Sequence, residues 1–201
     1  MATKRYVIGI DFGTLSARTV VVDAATGEEI AWEEVPYEHG VIEGALPDGG
    51  TPLPLGAARQ DPSDYLASLE QGVRGALAAS GVRPESVIGV GVDFTSCTLL
   101  PVDANGDPLC WQARFRTNPD AWVCLWKDQN AQAEATALTS RALELGETLL
   151  QWYGGKIPAE SFVPKVWRIS KHSPEVFAAA ARFVEAGDWI VWRLTGEAVG
   201  S

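Results

Sequence analysis

Apolar and polar positions along the first 36 residues fall into short runs at strand spacing. Residues 6–10 and 19–22 are β-branched and aromatic, and the pattern predicts two neighbouring strands. Thr26-Gly27 marks a turn, and residues 28–36 alternate as a third strand against the first two. Residues 37–60 are dense in Gly and Pro from Gly40 to Gly56, which predicts a long irregular excursion of the kind that carries function or an oligomer contact. A helix then opens, with Asp61 as cap, Pro62 in the first turn and Asp64 complementing the dipole. Leu66, Leu69, Val73 and Leu77 form its apolar stripe, and Ser80-Gly81 ends it. Residues 87–92, Val-Ile-Gly-Val-Gly-Val, predict a strand buried on both faces of a central sheet.

The remainder is mainly helical. Residues 99–103 and 109–113 bracket Asn105-Gly106, a hairpin signal, and Asn118-Pro119 marks a turn. Residues 128–145 are Ala-rich and helical, Tyr153-Gly154-Gly155 breaks the pattern, and a helix from Pro158 to Lys171 keeps Phe162, Val166, Trp167 and Ile169 inside. Pro174 to Arg182 predicts a shorter helix, Phe183 to Ala186 a brief strand, and Asp188 a cap for a helix over Trp189 to Leu194, closed by Thr195-Gly196. This order matches a ribonuclease-H-like α/β arrangement, a mixed sheet with flanking helices.

Composition narrows the chemistry. At 201 residues and 46% hydrophobic content the chain can bury a core of its own. A net charge of −10 argues against a nucleic-acid partner, since phosphate backbones need a basic face. No apolar run is long enough to span a bilayer, and Met1 to Tyr6 lacks the apolar core of a signal peptide. Cys97, Cys110 and Cys124 are odd in number and show no metal spacing, so reduced thiols in a cytoplasmic protein are expected.

The connection between the first two strands carries Asp11, Gly13, Thr14, Ser16 and Arg18. Without a Cβ, Gly13 lets the backbone turn sharply and a phosphate approach the amides. Thr14 and Ser16 add hydroxyls, and Arg18 a guanidinium that can fork onto phosphate oxygens. Asp11 ends the first strand, placed for a hydrated Mg²⁺. An ordinary hairpin with a glycine turn and a solvated Asp fits the same spacing. Asp93, at the carboxyl end of the predicted central strand, sits where open α/β sheets place ligands, although a cap on local amides is an equal use for it.

Taken together, Ile10 to Arg18, Asp93 to Thr98 with Pro101-Val102-Asp103, Leu125 to Asp128, and Asp188 to Gly196 resemble the FGGY carbohydrate kinases. Pro36 to Ile42, Leu46-Pro47, Gly91 to Thr95 and Tyr153 to Ile157 resemble the branch that phosphorylates L-ribulose. The resemblance covers residue 5 to the carboxyl end. It implies transfer of the ATP γ-phosphoryl group to a terminal hydroxyl of L-ribulose, with Mg²⁺ organised by Asp11 and the phosphates bordered by Gly13, Thr14, Ser16 and Arg18. It places Ser96 and Cys97 at a sugar-facing position, small enough for a five-carbon substrate, and Trp126, Lys127 and Asp128 on another substrate-facing segment. Glu160 is a further candidate on the same side. Trp126 as core, Lys127 as a solvated charge and His39 and His172 as surface or loop residues are the structural alternatives.

The resemblance also implies something missing. No segment matches the family's catalytic base, the adenine-binding segments or the second domain. The first domain itself is expected to be cut short at Val199-Gly200-Ser201. The expectation is an N-terminal domain with little activity alone, prone to self-association through exposed interdomain surface. Another ketopentose or a polyol as substrate, and a non-catalytic sugar- or nucleotide-binding module, remain open alternatives.

Overall fold

The computed structural model describes residues 4–47 and 50–198; Gly49 of the irregular excursion and the expected truncation point at Val199-Gly200-Ser201 lie outside them. In chain order the elements are β1 (Tyr6–Phe12), β2 (Ser16–Asp23), β3 (Glu29–Pro36), β4 (Arg59–Gln60), α1 (Pro62–Ser80), β5 (Val87–Phe94), β6 (Leu99–Val102) and β7 (Val123–Cys124), then α2 (Gln132–Glu144), α3 (Phe162–His172), α4 (Pro174–Ala179), β8 (Arg182–Glu185) and α5 (Ala186–Thr195).

Two sheets result. The first has the order β3-β2-β1-β5, antiparallel except where β1 and β5 run parallel with Asp11 opposite Asp93. This is the expected mixed sheet. The second, β4-β7-β6-β8, is small and antiparallel; β6 and β8 match the strands expected near residues 99–103 and 183–186, whereas β4 and β7, two residues each, are too short to show in the sequence pattern. One face of the first sheet is sealed: Ile8, Ile10, Phe12 and Val21 pack with Tyr65 of α1 and Trp189 and Ile190 of α5. The alternate residues Asp11, Arg18, Trp32, Glu34 and Asp93 line the opposite, open face, where a groove of about 760 Å³ runs over Gly9 and Gly91.

Several expectations need correction. β5 is not buried on both faces: among the described residues it pairs only with β1, and Ile88 and Val90 are 55% and 53% exposed. Its apolar composition suits a central strand, but here it is an edge. The buried side of α1 is Tyr65, Ser68, Gly72 and Ala76, with Leu66, Leu69, Val73 and Leu77 flanking it, because small residues let the helix axis approach β2. After β6 the Gly106 turn forms, but the chain returns as a 3-10 turn at Leu109–Trp111 rather than a strand. Asp188 lies inside the first turn of α5 and does not cap it. The α3 helix buries Pro164, Lys165 and Ile169, while Phe162 and Val166 are only partly covered.

The 37–60 excursion is held to the body. Ile42, Leu46 and Leu53 join a second core with Leu99, Leu109, Phe115 and Trp122. At its start His39 is clasped by α1: Asp64 Oδ2 accepts from the His39 amide at 3.0 Å, and Oδ1 lies 2.9 Å from Nδ1. Asp61 is 4.0 Å away and Glu38 is adjacent. The hydrogen bond to Asp64 raises the His39 pKa, against an opposing effect of burial.

This packing makes two substitutions informative. A Cβ at Gly72 would stand 2.5 Å from Thr19 Oγ1. Overpacking typically costs about 1–3 kcal/mol and the gain in helix propensity is only about 1 kcal/mol, so Gly72→Ala should lose roughly 1 kcal/mol in urea unfolding rather than gain it. For His39 the fold favours the protonated ring, so its stabilising contribution is complete below the ordinary value of about 6.5 and is lost as pH rises through the higher folded value. The wild-type urea midpoint should therefore fall more than that of His39→Gln as pH is raised above about 6.5; parallel profiles would sink the assignment.

Candidate active site

The β1–β2 connection folds tightly. The Gly13 amide donates to Ser16 O at 2.9 Å, and a Cβ on Gly13 would lie 3.3 Å from that same oxygen. The turn is anchored from outside by Gln60 Nε2, which donates to Thr14 O at 2.9 Å while Gln60 Oε1 accepts from the buried Tyr65 hydroxyl. Asp11, Gly13, Thr14, Leu15, Ser16, Arg18 and Glu34 line a cleft of about 310 Å³. The four residues expected to border phosphates and Asp11, expected at the Mg²⁺, are thus brought together. The sequence pattern missed their neighbour: Ser16 Oγ donates to Glu34 Oε1 at 2.7 Å, and Arg18 Nε lies 3.5 Å from the same oxygen. The Ser16 hydrogen bond, aided by Arg18, lowers the Glu34 pKa despite some desolvation. Glu34 thus orients Ser16 and Arg18 and competes with any anion that approaches them.

A second cleft of about 330 Å³ is lined by Thr95, Ser96, Cys97, Trp126 and Glu160, so four of the expected sugar-facing residues meet there. Trp126 stands between the two clefts, 41% exposed, and its indole Nε1 donates to Thr14 Oγ1 at 3.1 Å. An exposed indole offers an apolar face to sugar C–H groups. The 95–98 turn is tied to β1 by the Thr95 amide, which donates to Phe12 O at 3.2 Å, and it is closed by the Thr95–Thr98 hydroxyl contact at 3.0 Å. Cys97 has φ 58°, and among the described residues it is the one non-glycine in the left-handed region. Burial, with help from nearby Glu185, pushes its thiol pKa up, so it is a small neutral wall rather than a nucleophile.

The other candidates lie elsewhere. Asp93 lies beside Asp11 on the open sheet face, where its Oδ1 accepts from the Phe94 amide at 2.9 Å. Lys127 turns away to Glu43 at 2.7 Å, beside a different hollow near Leu53 and Gly56. Asp128 is buried, and its oxygens accept from the Ala58 and Asn130 amides at 3.0 Å and from Arg59. Its carboxylate is committed to holding the chain together and has no free face for a substrate.

Arg59 and Asp128 belong to a buried network that sequence reasoning did not find, since its members are spread over residues 59–173. Arg59 Nε donates to Pro119 O at 2.8 Å, and its NH2 group donates to Asp120 Oδ1 at 3.3 Å. Asp120 also accepts from Arg168 at 2.7 Å and from Ser173 Oγ at 2.8 Å. Burial alone would raise the Asp120 and Asp128 pKa values, but the guanidinium charges win and hold both below the usual carboxylate range.

For a divalent cation, Asp11 and Asp93 offer hard oxygen donors on adjacent strands, which suit Mg²⁺ rather than a softer metal. Glu38, His39 and Asp64 also bring ligand atoms within 4.8 Å of one another, but His39 and Asp64 are hydrogen-bonded to each other there. Among the described residues no helix is long and apolar enough to cross a membrane.

Removing one partner of the buried network should be severe. Asp128→Ala should cost about 3 kcal/mol, because it removes one of the two carboxylates paired with buried Arg59 and leaves the Ala58 and Asn130 amides without their acceptor, and should appear in urea unfolding as a lower midpoint. A loss below about 1 kcal/mol would show the network to be dispensable.

Known proteins share this architecture and sequence. A ribulokinase from Geobacillus thermodenitrificans is 47% identical over 196 residues, covering 98% of this chain and 35% of that protein. A ribulokinase from Halalkalibacterium halodurans is 45% identical over 197 residues, with the same coverage. The chain therefore spans about a third of the length of the curated relatives it matches. Among solved structures, a xyloylose kinase from Brucella ovis superposes with a TM-score of 0.74 at 18% identity, over 96% of this chain and 35% of that one. A gluconate kinase from Lactobacillus acidophilus gives 0.70 at 17%, over 98% and 34%; at such identities the likeness shows the fold. The model of the N-terminal domain of the FGGY carbohydrate kinases matches residues 6–200, and the chain belongs to that family.

Proposed function

We propose that this chain supplies the phosphate-loop and sugar-binding part of an ATP-dependent L-ribulose kinase. The observation that carries the reading is the pair of clefts on either side of Trp126: a glycine turn with hydroxyls and a cation on one side, and a small-residue pocket on the other, joined by the indole bond to Thr14. Phosphoryl transfer needs a donor phosphate and an acceptor hydroxyl held in line with charge neutralised between them. Gly13, Thr14, Ser16 and Arg18 border the phosphate side, and Asp11, aided by Asp93, is the carboxylate position for Mg²⁺. When bound, Mg²⁺ offsets the charge on the phosphate oxygens.

On the acceptor side Trp126 stacks on the sugar, Glu160 accepts from its hydroxyls, and the short side chains of Ser96 and Cys97 leave room for five carbons. L-ribulose as the sugar rests on the ribulokinase relatives. We assign the base that accepts the hydroxyl proton to a segment outside this chain, so the 201-residue chain alone should turn over slowly.

The test is ATP-dependent phosphorylation of the four 2-ketopentoses by the protein at its full encoded length. L-ribulose should be preferred, and Asp11→Ala should lower kcat by about 100-fold or more with much smaller change in sugar affinity. Preference for another ketopentose or a polyol would replace the substrate, while binding of sugar and nucleotide with no transfer would make the protein a binding module.

A further inference from the structure

Lys165 lies in the first turn of α3, between apolar neighbours, and the fold buries it to 1% exposure. Its ammonium donates to two main-chain carbonyls, Cys97 O at 2.7 Å and Leu125 O at 2.8 Å. Those two carbonyls belong to the two walls of the sugar-side cleft: Cys97 lies in the 95–98 turn, and Leu125 directly precedes Trp126. The first of these walls is also the strained one, with Cys97 at φ 58°. A backbone in that region persists for a residue with a side chain only when its surroundings over-determine it.

The other side of the turn is also held. The Ala186 amide donates to Thr98 O at 2.7 Å, and the Glu185 carboxyl lies near the Thr98 and Cys97 amides. Burial pushes the Glu185 pKa up, while the Lys165 charge and those amides draw it down. A buried ammonium is expensive unless its donors are met, and an apolar side chain would fill the same space without that cost. What the ammonium provides, and Leu or Met would not, is a bond to each wall.

We propose that Lys165 is a positioning residue for the sugar: it fixes the distance between the Ser96–Cys97 turn and Trp126 by bridging their carbonyls. This rests on the sugar-kinase reading of the cleft. Lys165 touches no substrate. Its effect passes through Cys97 and Trp126.

The experiment compares wild type, Lys165→Met and Lys165→Arg, at full encoded length, by three readouts: L-ribulose affinity from tryptophan fluorescence, ATP–Mg²⁺ affinity, and the rate of iodoacetamide labelling of each cysteine. Cys97 is part-exposed whereas Cys110 and Cys124 are buried, so labelling at Cys97 reports the turn locally. Lys165→Met should weaken L-ribulose binding by about tenfold or more, as expected when a binding wall shifts. It should speed Cys97 labelling while leaving Cys110 protected. ATP affinity should stay within about threefold, since the phosphate loop keeps its Gln60 tether. Lys165→Arg, with donors for both carbonyls, should recover most of the sugar affinity.

Unchanged sugar affinity and Cys97 labelling in Lys165→Met overturns the proposal. So does parallel loss of sugar binding, ATP binding and protection of all three cysteines, which is what a merely structural role gives. Should Lys165→Met not fold, Lys165→Gln, whose shorter neutral amide satisfies one carbonyl without bridging the two, carries the same comparison, and the same results support or overturn the proposal. If the wild type binds no L-ribulose, the kinase reading fails by itself, and the Cys97 labelling still decides whether Lys165 holds the turn.

Discussion

The Arg59 guanidinium, almost fully buried, is the constraint on which the second half of the molecule depends. It joins β4 to the Pro119–Ala121 turn, to Asp128 after β7 and, through Asp120, to Arg168 of α3 and Ser173 ahead of α4. A charge taken out of water is tolerated only when its donors are met, so every one of these segments must arrive in place for any of them to be stable. The network therefore acts as a geometric specification for a region whose strands are too short to align themselves.

The site inherits its order from that region. One wall of the cleft proposed for the sugar, Trp126, lies two residues from Asp128, and the helix that carries Arg168 also carries Lys165. Two buried cations on neighbouring parts of the fold thus serve different ends. Arg59 locks segments together through carboxylates, whereas Lys165 binds main-chain carbonyls and so sets the position of backbone.

At the β1–β2 connection, proposed for the phosphates, the arrangement is simpler and more open. The loop is local, it is bounded by two adjacent strands, and it stands over a sheet face that no described helix covers. Glu34 occupies Ser16 and Arg18 in the meantime, so an anion entering the cleft must displace a carboxylate and gains the two donors it releases. Trp126 couples this loop to the cleft of Ser96, Cys97 and Glu160 through one hydrogen bond, from its indole to the Thr14 hydroxyl.

Features that depend on neighbours in the chain were legible in the sequence. The β1–β2–β3 meander, the Asp61 cap and Gly81 stop of α1, and the tight Gly13 connection between β1 and β2 follow from strand alternation, turn chemistry and glycine's freedom over a few residues. The sugar-side residues Ser96, Cys97, Trp126 and Glu160 were named from resemblance, and no local pattern would have grouped them. Tertiary structure alone decided that Asp128 is spent on Arg59, that Lys127 turns to Glu43, that Asp93 joins Asp11, and that β5 is an edge. A side chain's local pattern gives its propensity, but its partner depends on which distant segment is folded against it, and charges separated by 60 or more residues leave no periodic trace. One trace was there to read: Lys165 lies at helical spacing between Phe162, Val166 and Ile169, a charge on an apolar face that the fold had to satisfy.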